Sequence, residues 1–347
     1  MPSDRTGLTS NPAKENSMQA IVFSEGRHVS IEQHPDPTPG PGEVVIAVKA
    51  SGICHTDIEI LKGNYGSSAF PLVPGHEFAG EVVAVGSEVT SIKCGDRVVV
   101  DPNIGCQTCV SCKRGRVNLC EKLGAYGVTR NGGFADYCVV ASDLVAPIGS
   151  LDWHVAALAE PLGCVLNGIS PMAGRTCETA LVFGGGPIGL LMALALKWKG
   201  TAEVAVVDLS PGRLDLARSF GFQGIAAGSG ALDSLIRSRD FVVDATGVPS
   251  VAAHLVDYTR DGGAALFFGV CPQAARIQIS PFELFRRQLS LFGTHSLNHN
   301  IQDTLPLLQA NASEAEGIVS HRLTIAEVAE IFRNGAPVGS LKVQLIG

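Results

Sequence analysis

The stretch ALVFGGGPIGLLMALALKW, residues 180–198, narrows the possible folds more than any other part of the chain. An apolar run of strand length ends in Gly184-Gly185-Gly186-Pro187-Ile188-Gly189, and a longer apolar run of helix formers follows. G-x-G-x-x-G alone is a weak signal in a chain with 40 glycines; between a strand and a helix it is specific. The unit then repeats. AEVAVVDLS and PGRLDLARSFGF read as the next strand and helix, DFVVDATG and SVAAHLVDYTR as another pair, and GGAALFFGV as a further strand. Strands alternating with helices predict an α/β fold with a doubly wound parallel sheet.

The glycine turn has a chemical reading. Gly184 permits a tight turn, Gly186 lets the backbone approach a pyrophosphate, and Gly189 lets the helix pack close to the strand. The helix start offers free N–H groups to phosphates. Pro187 costs little there, because proline is well tolerated in a first turn. Asp208 closes the next strand, 19 residues after Gly189. A carboxylate at that place accepts both ribose hydroxyls of NAD and repels the 2′-phosphate of NADP. The competing reading makes Asp208 a cap for the helix from Pro211. Arg213 lies either on the adenine or in solvent.

Upstream of residue 151 the texture is β-rich. Glu43–Ala50, Glu81–Val85 and Arg97–Val100 read as strands, punctuated by PDPTPGPGE and FPLVPGHE, as in a strongly bent β domain. With 347 residues the chain is too long for one ordinary core, so two domains are expected. Residues 1–17 are polar and read as a disordered tail, and MQAIVF from Met18 opens the folded part. From 298 to 347 helices and short strands alternate less regularly, and SLKVQLIG can add a strand back to the first domain. The longest apolar run, Ile188–Leu196, is about half the roughly 20 residues of a membrane span. The N-terminus has no apolar core of a secretory signal, so the expected location is cytoplasmic. The net charge of −7, without long runs of one sign, argues against nucleic acid as a partner.

Cys106, Cys109, Cys112 and Cys120 are spaced C-x2-C-x2-C-x7-C. A reducing compartment disfavours disulfides. Four thiolates on one short loop suit a tetrahedral zinc. An iron–sulfur cluster shares the C-x2-C-x2-C spacing, but the wide last gap and the absence of proline after Cys120 count against it. Plain buried thiols are the third reading. GICHTD, PGHEFAG and LAEPLGC add Cys54, His76, Glu77 and Glu160. One soft ligand with several harder ones suits zinc with an open coordination position. A cysteine near a histidine is otherwise a core thiol.

Taken in order, GICHTD, GHE, the four-cysteine loop, AEPL, GGGPIG and the Asp208 strand resemble the zinc-dependent medium-chain dehydrogenases, the family of alcohol, sorbitol and threonine dehydrogenases. The resemblance runs from Met18 to Gly347. AEPL resembles the polyol and threonine branch; simple alcohol dehydrogenases carry a cysteine ligand there, and Cys164 falls four residues late for it. The resemblance implies a GroES-like catalytic zinc domain over 18–150, an NAD-binding Rossmann domain over 151–297, and a segment 298–347 that returns to the catalytic domain. It implies Cys54 and His76 as ligands of a catalytic zinc, with Glu77 and Glu160 completing its shell. It also implies a structural zinc on Cys106, Cys109, Cys112 and Cys120, giving two zinc ions per chain. Thr56 matches the hydroxyl that takes the substrate proton, and Asp57 a residue that orients a ligand. Glu59 stands where the family often has a histidine ending the proton relay. Ile188, Arg213, Phe268, Gly269, Thr294 and His295 match cofactor contacts. The implied reaction passes hydride from a secondary alcohol, a polyol or sugar alcohol, to NAD. L-Threonine and simple alcohols are the alternatives, and a non-catalytic nucleotide-binding redox sensor the remote one. The implied assembly is a homodimer or homotetramer, with sheets paired edge to edge.

Overall fold

The computed structural model describes residues 17–65 and 69–347. The tail expected over 1–17 lies outside the described residues except for Ser17, which starts the first strand. The first nine strands are β1 Ser17–Ser24, β2 His28–Pro35, β3 Glu43–Gly52, β4 Glu77–Val85, β5 Arg97–Val100, β6 Asn103–Ile104, β7 Gly124–Ala125, β8 Tyr137–Ala141 and β9 Val145–Pro147. β1 and β2 form an antiparallel hairpin, and β6 pairs with β7 beside the four-cysteine loop. The expected strand Glu81–Val85 begins four residues earlier, at Glu77, so the GHE motif runs directly into β4.

Downstream come β10 Thr179–Phe183, β11 Glu203–Asp208, β12 Gln223–Ala226, β13 Arg239–Asp244, β14 Thr259–Phe267 and β15 Ser290–Gly293. They form one parallel sheet in the order β12-β11-β10-β13-β14-β15. The order reverses between β10 and β13, so a crevice opens at the carboxyl ends of these two strands. Both faces are covered, as the continuous apolar strands require. Val182, Val206 and Val243 point into one core, and their neighbours Leu181, Val207 and Val242 into another. The helix Pro187–Trp198 lies in the first core, and every residue from Gly189 to Leu196 is buried. A helix apolar all round is stable only in such a place. SVAAHLVDYTR, read as one helix, is two short turns, Pro249–Ala252 and Leu255–Tyr258. Each buries a single residue, Ala252 or Leu255, too little apolar stripe to hold a longer helix.

The C-terminal segment divides. The helix Ile301–Ala310 packs on the helix Ala159–Ile169, on the parallel-sheet side. The last strands, β16 Val319–Leu323 and β17 Lys342–Ile346, join the seven-stranded sheet in the order β16-β17-β3-β4-β5-β9, with β8 also on β3; β16 lies parallel to β17 and the other pairs are antiparallel. The helix Ile325–Asn334 seals that sheet with Val328, Ala329 and Phe332; the Phe332 ring stands edge-on to Phe23 at 4.9 Å and to Phe134 at 5.5 Å. Among the described residues one helical stretch, Trp153–Met172, is long and apolar enough to cross a membrane, and 78% of its apolar window is buried inside the protein.

Candidate active site

Three elements converge on one buried group. β3 ends at Gly52, and Cys54 caps the following helix, His55–Leu61. Asp57, in the first turn of that helix and fully buried, accepts the Cys54 N–H at 2.8 Å and the Gly75 N–H at 3.3 Å. This fixes both loops and leaves the Asp57 Oδ1 3.5 Å from the His76 Nδ1. His76 and Glu77 enter from the start of β4, and Gly52 lies opposite Glu77 in the ladder. A side chain at Gly52 would collide with the Glu77 carboxylate, so the glycine is what lets that carboxylate fold toward Cys54. One donor atom each from Cys54, His76 and Glu77 lies within 4.8 Å of the others.

The third element was not legible as part of the site. β17 runs antiparallel to β3 with Gln344 opposite Gly52, which carries Lys342 to the level of Cys54. Its Nζ donates to both Glu77 oxygens, at 2.6 and 2.8 Å, and to the Ile53 carbonyl at 3.1 Å. Both partners are almost wholly buried. A lysine whose only other polar companion is Gln344 in the run LKVQLI is the signal that could have found it. Burial alone would lower the Lys342 pKa, yet the Glu77 and Cys54 charges raise it above its ordinary value.

Glu160 comes from the first turn of the helix Ala159–Ile169 and is 5% exposed. It does not join the close Cys54–His76–Glu77 group. Burial, aided by the Glu77 charge, raises its pKa to about 7, against the opposing pull of His76. One turn on, the Cys164 thiol donates to the Glu160 Oε1 at 3.4 Å. The cysteine that falls four residues late in sequence therefore sits against the site. Burial opposes protonation of His76, but Asp57 and Cys54 raise its pKa well above the ordinary value. A thiol, an imidazole and two carboxylates crowd together with one lysine. This donor set favours a bound cation and fits zinc with a place left for a ligand. The Thr56 hydroxyl is 3.7 Å from the Cys54 Sγ. Glu59 lies apart from this group. Its carboxylate is taken by Asn64 at 2.8 Å and Lys62 at 2.9 Å, with His55 at 3.5 Å, and these bonds lower its pKa.

The four cysteines close a second site. Their sulfurs lie within 4.8 Å of one another and none is in a disulfide. Main-chain N–H groups point at three of them: Cys106 N at the Cys120 Sγ, Cys109 N at the Cys106 Sγ, and Cys112 N at the Cys109 Sγ, at 3.3–3.5 Å. The Thr108 hydroxyl, with backbone N–H groups, lowers the Cys106 pKa to about 5, while burial lifts Cys112 to about 12. Main-chain donors aimed at sulfur, with no lysine or arginine side chain bonded to the sulfurs among the described residues, fit a tetrahedral metal bound by four thiolates.

At the crevice of the parallel sheet, Gly184 has φ +104, which disfavours any residue with a side chain. Gly189 backs directly onto the Gly184 carbonyl. A Cβ on Gly186 would enter open space beside Arg213, the room a phosphate takes. Ile188 follows Pro187 in the first turn of the helix. Asp208 ends β11; its Oδ2 accepts the Gly185 N–H at 2.7 Å and its Oδ1 the Ser210 N–H at 2.8 Å. It therefore braces the glycine turn, and Ser210, not Asp208, is the N-cap of the next helix. The Arg213 guanidinium stands 3.7 Å from Asp208. Phe268 and Gly269 follow β14, with both N–H groups bonded to the Asp244 carbonyl. Thr294 and His295 follow β15.

Comparison with known proteins accords with this geometry. The family model described as an alcohol dehydrogenase GroES-like domain matches residues 40–150, and that of the zinc-binding dehydrogenases matches residues 187–310. The D-altritol 5-dehydrogenase of Agrobacterium fabrum is 50% identical over 332 residues, covering 94% of this chain and 99% of that protein. The D-arabinitol dehydrogenase 1 of Uromyces fabae is 32% identical over 336 residues, 94% of this chain and 96% of that one. A zinc-binding dehydrogenase of Sinorhizobium meliloti, solved with NADP bound, superimposes with a TM-score of 0.91 at 31% identity over 95% of this chain and 99% of its own. The GroES-like sheet, the Rossmann-type parallel sheet and these matches together make the chain a member of the zinc-dependent medium-chain dehydrogenases, enzymes that oxidise alcohols with a nicotinamide nucleotide.

Proposed function

We propose that the protein oxidises one secondary hydroxyl of a polyol, D-altritol or a close stereoisomer, to the ketose, with NAD as hydride acceptor. The observation that carries this reading is the 50% identity to a D-altritol dehydrogenase across nearly the whole chain, with a buried Glu160 carboxylate near enough to His76 and Glu77 to feel their charges. Cys54, His76 and Glu77 would hold the catalytic zinc, with Glu160 alongside, and the four-cysteine loop a structural one. When bound, the catalytic zinc lowers the pKa of a substrate hydroxyl. A nicotinamide nucleotide held at the Gly184–Gly189 turn beside Asp208 would supply the hydride acceptor.

The chain's own residues do the rest. Thr56 takes the substrate proton from its place beside Cys54. Asp57 holds His76 in orientation. Lys342 neutralises Glu77, so that Glu77 stays ionised without adding a full charge to the cavity. Asp208 supports NAD because its carboxylate faces the glycine turn, where the 2′-phosphate of NADP would be repelled. Arg213, 3.7 Å away, favours the opposite choice; Asp208 is the more deeply seated, with side-chain exposure of 9% against 40%.

The protein acts as a homo-oligomer in this reading. β15 is one of the two edges of the parallel sheet among the described residues, and Phe282 and Phe285 just before it are 66% and 81% exposed. Ten free cysteines suit a reducing, cytoplasmic setting. The test is a rate panel of D-altritol, D-arabinitol, L-threonine and ethanol, each with NAD and NADP. The expected result is fastest turnover with a polyol and NAD. A preference for L-threonine or ethanol, or for NADP at matched concentration, overturns the substrate or cofactor assignment respectively.

A further inference from the structure

The segment Thr294–Asn300 leaves the last parallel strand and bonds to β6, the four-cysteine lobe and the helix Ala159–Ile169. Ser296 and His299 both adopt left-handed backbone, φ 52 and 53, although neither is glycine. Such a conformation persists only where its surroundings over-determine it, and it concentrates at ligand clamps. Three asparagines from separate elements supply that determination. Asn167, on the helix that carries Glu160, donates to the Ser296 carbonyl at 2.7 Å. Asn103, on β6 at the entry to the four-cysteine lobe, donates to the Leu297 carbonyl at 2.9 Å and to the Ser296 hydroxyl at 3.0 Å. Asn118, between Cys112 and Cys120, donates to the His295 carbonyl at 2.7 Å, and its own carbonyl meets the His295 Nδ1 at 3.0 Å. Asn298 answers from the segment side, donating to the Gly115 carbonyl at 2.8 Å and accepting the Asn118 N–H at 3.5 Å.

Asn103 and Asn118 are nearly buried, at 4% and 6% exposure, and they spend their amides on the backbone of another domain. The lobe that holds Asn118 has only one short helix, Val110–Lys113, and one 3-10 turn of its own. Its shape therefore depends on what its four sulfurs bind. We propose that Asn118 and Asn103 are positioning residues that set Thr294 and His295 for the nicotinamide nucleotide, so that the four-thiolate lobe supports cofactor binding across the domain boundary. This rests on the nucleotide reading given above.

The experiment titrates NADH into the full-length protein by fluorescence, with zinc per chain and steady-state constants measured on the same samples. Asn118→Ala removes the amide; Asn298→Ala removes the adjacent bonds of the same junction, to the Gly115 carbonyl and the Asn118 N–H, and serves if the first variant fails to fold. Both should raise the NADH dissociation constant and the KM for NAD about tenfold, as the loss of one or two hydrogen bonds implies, with both zinc ions retained and the KM for the alcohol little changed. Stripping the four-thiolate zinc from the wild type should weaken NADH binding in the same direction. Unchanged NADH affinity in both variants, with zinc retained, overturns the coupling. A wild type that takes up no NADH overturns instead the nucleotide reading beneath it, and the control titration separates the two.

Discussion

Lys342 sits among three acidic or thiol groups, Glu77, Cys54 and Glu160, and is bonded only to Glu77. Its pairing with Glu77 is buried on both sides, so removing the ammonium leaves an uncompensated carboxylate. Lys342→Met should cost about 3 kcal/mol of metal-free stability, read by urea denaturation, while Lys342→Arg should retain most of it. A Met variant as stable as the wild type would show that the pair is incidental. Cys54 and Glu160 contrast at the same scale. Cys54 belongs to the close donor group and Glu160 stands outside it. Cys54→Ala should therefore lose the catalytic zinc and all turnover while NAD still binds. Glu160→Ala should keep some metal and lose on the order of 10–100-fold in rate. Equal, complete loss of zinc in both would put Glu160 permanently among the ligands.

Elements deliver these side chains, and here the reading from sequence was uneven. Cys54, His76, the four cysteines and the glycine turn were legible because each lies in a short motif whose spacing is itself the geometry. Lys342 and Asn118 were not, since their partners are 265 and 177 residues away and depend on strand register and loop course. Glu59 was legible as a position; what the sequence did not show is that Lys62 and Asn64 hold its carboxylate. The alternation of strands and helices gave the parallel sheet, yet not the break at His254, where a polar face outweighs one buried residue per turn. The segment after β15 adds a pH-dependent contact. The His299 Nδ1 lies 3.0 Å from the Asp101 Oδ2, and that bond, opposed by partial burial, raises the His299 pKa above its ordinary value. A histidine pKa raised on folding stabilises the folded state at and below the unfolded value of about 6.5 and loses that stabilisation as pH rises through the folded value. The wild type should thus lose stability relative to His299→Gln as pH rises above about 6.5. Parallel melting curves across that range would refute the contact's contribution.

At the scale of the molecule, two sheets share one continuous chain that crosses between them twice, through the helix Ala159–Ile169 and again after Glu316. The first crossing carries Glu160 toward the Cys54–His76–Glu77 group and Asn167 to the segment after the last parallel strand, so one helix would link the proposed metal and nucleotide sites. The free edge at β15, with Phe285 beside it, is where a second copy would extend the sheet. Phe285→Glu should shift the mass measured by light scattering toward the monomer, and an unchanged mass would place the interface elsewhere. The central claim is that this fold carries two metal centres of different openness, one closed by four thiolates and one catalytic. Zinc per chain, counted by elemental analysis before and after mild chelation with turnover followed in parallel, tests it most directly. The account predicts two zinc ions falling to one, with activity lost as the first leaves. A single zinc at the outset, iron in place of zinc, or full turnover after the first ion is removed would contradict it.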